Sequence, residues 1–115
     1  MNDFLRPALY DAVHSVKPLK LSEEKDKKEL YDIVGPICET ADVIVENATL
    51  SKSIDRENFL YIEKVGAYGA AMSSTYNSRG LISEVLVNKD NFFEIRKKMK
   101  EIDFIKLEKI PSWIK

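Results

Sequence analysis

One cysteine, Cys38, and one histidine, His14, are all that this 115-residue chain holds of those two types. A lone cysteine cannot close an intramolecular disulfide, and no cluster of His and Cys supplies four zinc ligands, so disulfide-stapled secreted scaffolds and zinc modules are excluded. Positive charge is not in excess either. Eighteen Lys+Arg stand against nineteen Asp+Glu, a formal net charge of −1, without the basic surplus that a binder of phosphate backbones needs, so no nucleic-acid partner is expected. Uninterrupted apolar runs extend over only a few residues, far short of the roughly 20 that cross a bilayer. The opening Met1 to Pro7 carries an acid and a proline where a signal peptide has a basic cluster and then an apolar run. No membrane association and no export are expected, and the default location is the cytoplasm.

What the chain does contain is enough apolar material for a core. Hydrophobic residues make up 44% and charged residues 32%, a balance that excludes a disordered tail, and the length suits one domain, residues 1–115. Pro7, with φ fixed near helical values, suggests a short helical turn within residues 2–16. The charged stretch Lys20 to Glu29 has almost nothing to bury and reads as an exposed hairpin or loop. Leu30 to Val34 is a β-branched and aromatic run ended by Gly35-Pro36, hence a strand and a sharp turn. Val43-Ile44-Val45, Phe59 to Val65 and Ser83 to Asn88 are further strand candidates, with Asn88 to Asn91 as the turn after the last. Ala67 to Tyr76 reads as a short helix. Periodicity leaves Asn91 to Lys100 open between helix and strand. The tail, Phe104 to Ile114, suggests a short helix ended before Pro111, with Trp113 folded back as an anchor.

Three spots stand above background as chemistry. In Gly35-Pro36-Ile37-Cys38-Glu39 a thiol follows a rigid turn and sits beside a carboxylate, a position from which it could protrude as proton donor or nucleophile. Spacing alone favours a buried cysteine acting as a small hydrophobe. His14, 24 positions upstream, is no adjacent base, and a lone histidine is more often structural. In Gly66 to Asn77, small residues around Tyr68 would let a flat cofactor or a phosphate approach the backbone, although spacing alone favours tight helix packing in a β-rich core and no GxGxxG or P-loop is present. In Arg6-Pro7-Ala8-Leu9-Tyr10, an i, i+4 pair brings a guanidinium and a phenol to one face, able to clamp a carboxylate. The ordinary reading is an exposed arginine with a core tyrosine.

In this order, Asn2 to Ala12, Ile33 to Asp42, Gly66 to Asn77 with Ser78-Arg79, and Glu84 to Val87 resemble the C-terminal part of the diaminopimelate decarboxylase family. The resemblance covers nearly the whole chain. It implies a mainly β domain with short helices, the C-terminal β-barrel or sandwich domain of the alanine-racemase-like pyridoxal-phosphate enzymes, without their (β/α)8 barrel. It places a closing strand over Phe92 to Lys98 with a helix after it. The family's Schiff-base lysine, stacking histidine and glycine-rich phosphate loop belong to the barrel, and Met1 matches the middle of the family's chain, so a fragment is expected. The family's β-domain also borrows a strand from the polypeptide before its barrel, which would leave a sheet edge exposed here.

By the same resemblance, Arg6 and Tyr10 are substrate-binding and suit a distal carboxylate. Cys38 is the proton donor to the α-carbon after carbon dioxide leaves, and Glu39 receives the distal ammonium. Tyr68 contacts both cofactor and substrate. The cysteine and its glutamate reach across a homodimer interface into the partner's site. Ornithine decarboxylases place Asp after the cysteine, whereas this chain has Glu39, which favours diaminopimelate. Val13, Ala41 and Gly80-Leu81-Ile82 depart from the family pattern without touching these positions. The expectation is therefore part of an enzyme converting meso-diaminopimelate to L-lysine and carbon dioxide with pyridoxal 5'-phosphate. It would be inactive without a companion barrel and would hold no metal. A non-catalytic assembly module or a relic of that enzyme is the alternative.

Overall fold

The computed structural model describes residues 1–20 and 27–114. Its elements are α1 (Pro7–Tyr10), β1 (Val16–Pro18), β2 (Lys28–Val34), β3 (Val43–Ser51), β4 (Leu60–Ile62), α2 (Gly66–Gly69), a 3-10 turn at Tyr76–Ser78, β5 (Glu84–Asn88), β6 (Asn91–Arg96) and α3 (Glu101–Ile105). The chain is mainly β with short helices. Among the described residues the strands pair antiparallel, two by two, as β1 with β4, β2 with β3 and β5 with β6. This agrees with the expected mainly β domain; of the barrel or sandwich forms that the resemblance implies, no closed barrel is found, since among the described residues no sheet has the strands to close on itself.

Pro7 opens α1 as its fixed φ dictates, and Asp11 ends it in the left-handed region, its N–H bonded to the Pro7 carbonyl. The strand expected at Val43-Ile44-Val45 runs on to Ser51. Two register shifts against β2, after Tyr31 and after Ile33, place extra residues in β3. At the first shift Asn47 has φ 55° and donates its backbone N–H to Asp32 Oδ1 at 2.9 Å. A polar Glu-Asn pair that reads as the end of a strand is a bulge inside one. β1 went unforeseen because Val16-Lys17-Pro18 is too short for alternation to register. It exists by pairing with β4, Val16 opposite Ile62, reinforced by Lys17 on Glu63 at 2.8 Å.

The helix expected over Ala67 to Tyr76 shrinks to Gly66–Gly69, with turn bonding carried on only through the Met72 N–H to the Tyr68 carbonyl at 2.8 Å and the Ser73 N–H to the Ala70 carbonyl at 3.2 Å. The Ser74 N–H bonds the Asp3 carbonyl at 2.8 Å, where these turns end. A side chain on Gly69 would lie 2.8 Å from Phe4 Cζ, so glycine lets the Phe4 ring seat on α2. Within the charged stretch, Lys28 and Glu29 belong to β2, and residues 21–26 lie outside the described residues. β5 and β6 form the expected hairpin through Lys89-Asp90, which settles Asn91 to Arg96 as strand. The tail helix starts earlier than expected, at Glu101, where the Lys100 N–H bonds Asp103 Oδ2 at 3.0 Å. Trp113 does not fold back. It is 82% exposed, because the tail meets no groove.

Among the described residues the buried apolar side chains are few: Leu5, Ile37, Ile44 and Leu50. Leu5, Ile37 and Ile44 belong to the corner where the N-terminal segment meets the segment 35–42 and the start of β3, and Leu50 lies at the other end of β3, opposite Glu29. The radius of gyration is 17.9 Å, against about 13 Å for a compact domain of this length. The accessible surface, 9841 Å², exceeds the roughly 6,400 Å² of a compact monomer of this mass by about half.

Candidate functional site

Gly35-Pro36 turns the chain out of β2 into the segment 35–42, and Asp42 closes that segment. Its buried carboxylate accepts the Ile37 N–H at 2.7 Å and the Asn2 N–H at 2.6 Å, while the Gly35 N–H bonds the Asp42 carbonyl at 2.8 Å. A Cβ at Gly35 would overlap the Asp42 carboxylate. Glycine is therefore needed here for close approach rather than for an unusual φ. Once Asp42 and Ile37 are drawn inward, Cys38 and Glu39 are left at the rim. Cys38 is exposed, which corrects the buried cysteine that spacing alone favours: the inward place is taken by Ile37.

The N-terminal segment lies across this loop. Asn2 is 5% exposed, and its side-chain amide donates to Glu39 Oε1 and, at 3.1 Å, to the Ala41 carbonyl. The Asn2 carbonyl accepts Arg6 Nε–H at 3.1 Å. Arg6 lies over the Tyr76 ring, 5.6 Å from its centroid, a cation–π distance. The Tyr76 hydroxyl is in turn a hydrogen-bond partner of the Glu39 carboxylate. The Asn2 amide first and the Tyr76 hydroxyl second hold Glu39 below the usual carboxylate range. The same carboxylate pushes the Tyr76 phenol upward.

On its other side Arg6 faces a largely apolar cleft of about 220 Å³, lined by Leu5, Tyr10, Tyr68 and Met72 among others. Tyr10 and Tyr68 are both about two-thirds exposed, at 65% and 68%, so Tyr10 is not the core tyrosine of the ordinary reading. Of the five residues singled out in the sequence, Arg6, Tyr10 and Tyr68 therefore share one cleft, and Cys38 and Glu39 sit outside it on the neighbouring loop. Arg6 touches both groups through Tyr76 and Asn2.

Those two residues went unremarked as functional in the sequence, although both fall inside segments that were quoted. Tyr76 carried a signal: an aromatic between Thr75 and Asn77, off any apolar stripe, has no packing reason to be there. Asn2 carried none, because the groups that its N–H and side-chain amide bond are 37 to 40 positions away.

The sequence pattern of the C-terminal sheet domain of pyridoxal-dependent decarboxylases matches residues 1–66. The chain belongs to that family. Its relatives extend the likeness past residue 66. The diaminopimelate decarboxylase of Zymomonas mobilis is 40% identical over 114 residues, 99% of this chain and 26% of the relative. That of Archaeoglobus fulgidus is 36% identical over 113 residues, 98% of this chain and 26% of the relative. Among solved structures, Helicobacter pylori diaminopimelate decarboxylase complexed with L-lysine superposes with a TM-score of 0.81 at 40% identity, covering 93% of this chain and 26% of that one. The M. jannaschii enzyme with L-lysine gives 0.85 at 37%, covering 96% and 25%. The chain thus spans about a quarter of the decarboxylases it matches.

The cleft fits one flank of the family's cofactor. Tyr10 and Tyr68 offer phenols beside an apolar wall that an aromatic ring can lie against. It lacks a phosphate cradle of its own: α2 is four residues long and its two glycines have ordinary negative φ.

Proposed function

We propose that residues 1–115 are one domain of a diaminopimelate decarboxylase, supplying substrate recognition and a proton to a pyridoxal-phosphate site whose barrel lies outside these residues. The observation that carries this reading is the partition of the five residues. Arg6, Tyr10 and Tyr68 converge on one open cleft, whereas Cys38 and Glu39 project from a loop beside it. Two half-sites on one small domain suit an enzyme whose active sites form between subunits, each cleft receiving Cys38 and Glu39 from a second copy.

In that assembly the Arg6 guanidinium and the Tyr10 hydroxyl bind the distal carboxylate of meso-diaminopimelate. Glu39, ionised at neutral pH, receives the distal ammonium. Tyr68 contacts cofactor and substrate. When bound, pyridoxal phosphate supplies the electron sink for the bond broken as carbon dioxide leaves. Cys38 then gives its Sγ–H proton to the α-carbon, and L-lysine is the product. The side chain after the cysteine separates this reading from ornithine decarboxylation, since Glu39 is one methylene longer than the aspartate found there. A cytoplasmic location belongs to the same proposal. Among the described residues no helix is long and apolar enough to cross a membrane.

The extended shape favours the need for a companion. The surface in excess of a compact monomer, about 3,400 Å² on this chain alone, is more than the roughly 1,000–2,500 Å² that each partner buries in an obligate interface. The test is to mix this chain with a polypeptide carrying the barrel of a related decarboxylase, add pyridoxal phosphate, and follow lysine and carbon dioxide from diaminopimelate. Activity only on mixing, lowered about a hundredfold or more by Cys38→Ala, is the expected result. Activity of the chain alone, or full activity of Cys38→Ala on mixing, would sink the assignment. Stable association without turnover would favour the assembly-module reading.

A further inference from the structure

We propose that Tyr76, acting with Asn2, is a positioning residue that fixes Glu39 and Arg6 relative to each other, so that the two half-sites of this domain are joined through one clamp. The Asn2 side-chain amide donates to the Glu39 carboxylate, while the Asn2 backbone carbonyl, which any residue there would offer, accepts Arg6 Nε–H. From the opposite side the Tyr76 ring lies under the Arg6 guanidinium. Its hydroxyl meets the same carboxylate. Each of the two positioning residues therefore touches both of the residues that the proposed reaction uses.

The clamp is built for this purpose rather than for packing. Asn2 is buried yet spends its amide on a rim carboxylate, and Tyr76, 40% exposed, contributes little to the core. Without the clamp, Glu39 is a flexible side chain on an exposed loop and Arg6 a long side chain at a cleft edge. Both would lose rotamer entropy on meeting a ligand. With it they are fixed beforehand, which is the condition for strong orientation at a reacting centre.

The roles of Arg6 and Glu39 rest on the proposed function, but the clamp can be tested without it. Carboxyl ¹³C titration of the whole chain reads Glu39 directly. Besides Asn2 and Tyr76, the charges facing Glu39 are Arg6 and the amino terminus, and both remain in every variant. Asp103, whose carboxyl is also lowered but by the Lys100 N–H and Lys106 in α3, serves as the internal control for folding.

Tyr76→Phe is expected to raise the Glu39 titration toward the ordinary glutamate range while Asp103 stays in place. Asn2→Ala is expected to raise it further. Tyr76→Leu, which also removes the ring, should in addition speed hydrogen exchange at Arg6 Nε–H, an effect absent from Tyr76→Phe. In the mixed enzyme, Tyr76→Phe should raise KM for diaminopimelate about tenfold with kcat held within about twofold. If Glu39 titrates alike in the parent chain and Tyr76→Phe, the clamp does not exist, whether or not Asn2→Ala folds. If Glu39→Gln leaves KM unchanged while the titrations move as expected, the clamp stands and the substrate role of Glu39 falls.

Discussion

The corner where residues 1–6 cross the segment 35–42 and the β5–β6 hairpin are built by opposite rules. The corner buries polar groups and satisfies them: Asn2 and Asp42 are 5% and 3% exposed, and each makes several hydrogen bonds. The hairpin exposes apolar groups and covers none. Val85, Leu86 and Val87 on one strand and Phe92, Phe93 and Ile95 on the other are all more than half exposed, and because successive residues alternate sides, both faces are bare. An isolated two-stranded hairpin is marginal in water, and one with two bare faces is shaped for contact on both. The corner holds the reactive groups by internal bonds, whereas the hairpin depends on what lies beside it.

The largest effect should come from breaking the corner. Asp42→Ala removes the acceptor of the Ile37 and Asn2 N–H groups in a buried setting and should cost about 3 kcal/mol. Asp42→Asn, which keeps one acceptor oxygen, should cost about half as much. Chemical denaturation of the three chains tests this. Equal stability of Asp42→Ala and the parent chain would mean that the loop is held by backbone contacts alone. Leu5→Ala, at a site 3% exposed, belongs to the same class and should cost about 2–4 kcal/mol.

The hairpin should answer in the other sense. Phe92→Ser, at a site 79% exposed, should change the stability of the chain alone by no more than about 0.5 kcal/mol. The same substitution should weaken binding to a barrel polypeptide or a second copy about tenfold. Sedentary surface residues would show neither effect, so a neutral result in a sedimentation assay of the mixture would remove the hairpin from the interface and break the contrast with the corner.

How far the sequence revealed this arrangement follows the same division. Strands with strong local patterns, such as Leu30 to Val34 and Ser83 to Asn88, were legible, as were the turn at Pro7 and the hairpin turn at Asn88 to Asn91. What escaped depends on distant partners. β1 exists through β4, β3 continues through a bulge that Asp32 supports from the neighbouring strand, and the turns after α2 end where the Ser74 N–H bonds the Asp3 carbonyl. The three spots that hold the five candidate site residues stood out by residue type and spacing, but their roles came by resemblance, and of their grouping only the pairing of Arg6 with Tyr10 was legible. Arg6 and Tyr10 are near in sequence, but Tyr68 joins them only because Phe4 seats on Gly69. Trp113 was misread because a large aromatic near a terminus suggests an anchor, and the tail offers it nothing to grip.

The smallest effect sharpens the comparison by pH. Glu63 is held below the usual carboxylate range chiefly by its hydrogen bond from Lys17, across the β1–β4 pair, and Glu39 by Asn2 and Tyr76 in the corner. A carboxyl whose folded value lies below its unfolded value contributes stability that is present above the unfolded value and lost as pH falls through the folded one. Both contributions should therefore hold at neutral pH and fade below about 4.5, the ordinary glutamate value. The two groups differ in what surrounds them. The Lys17–Glu63 pair is open to solvent, so salt should screen its share, whereas the leading donors on Glu39 are an uncharged amide and a phenol, ahead of the Arg6 and amino-terminal charges, so salt should screen a smaller part of its shift. Thermal unfolding between pH 7 and 3, at low and at high salt, should thus show acid destabilisation in both, with the salt-sensitive part removed by Lys17→Met and the salt-insensitive part reduced by Tyr76→Phe. Acid sensitivity that Tyr76→Phe leaves untouched would mean that the corner contributes nothing to it and that strand pairing alone responds to pH.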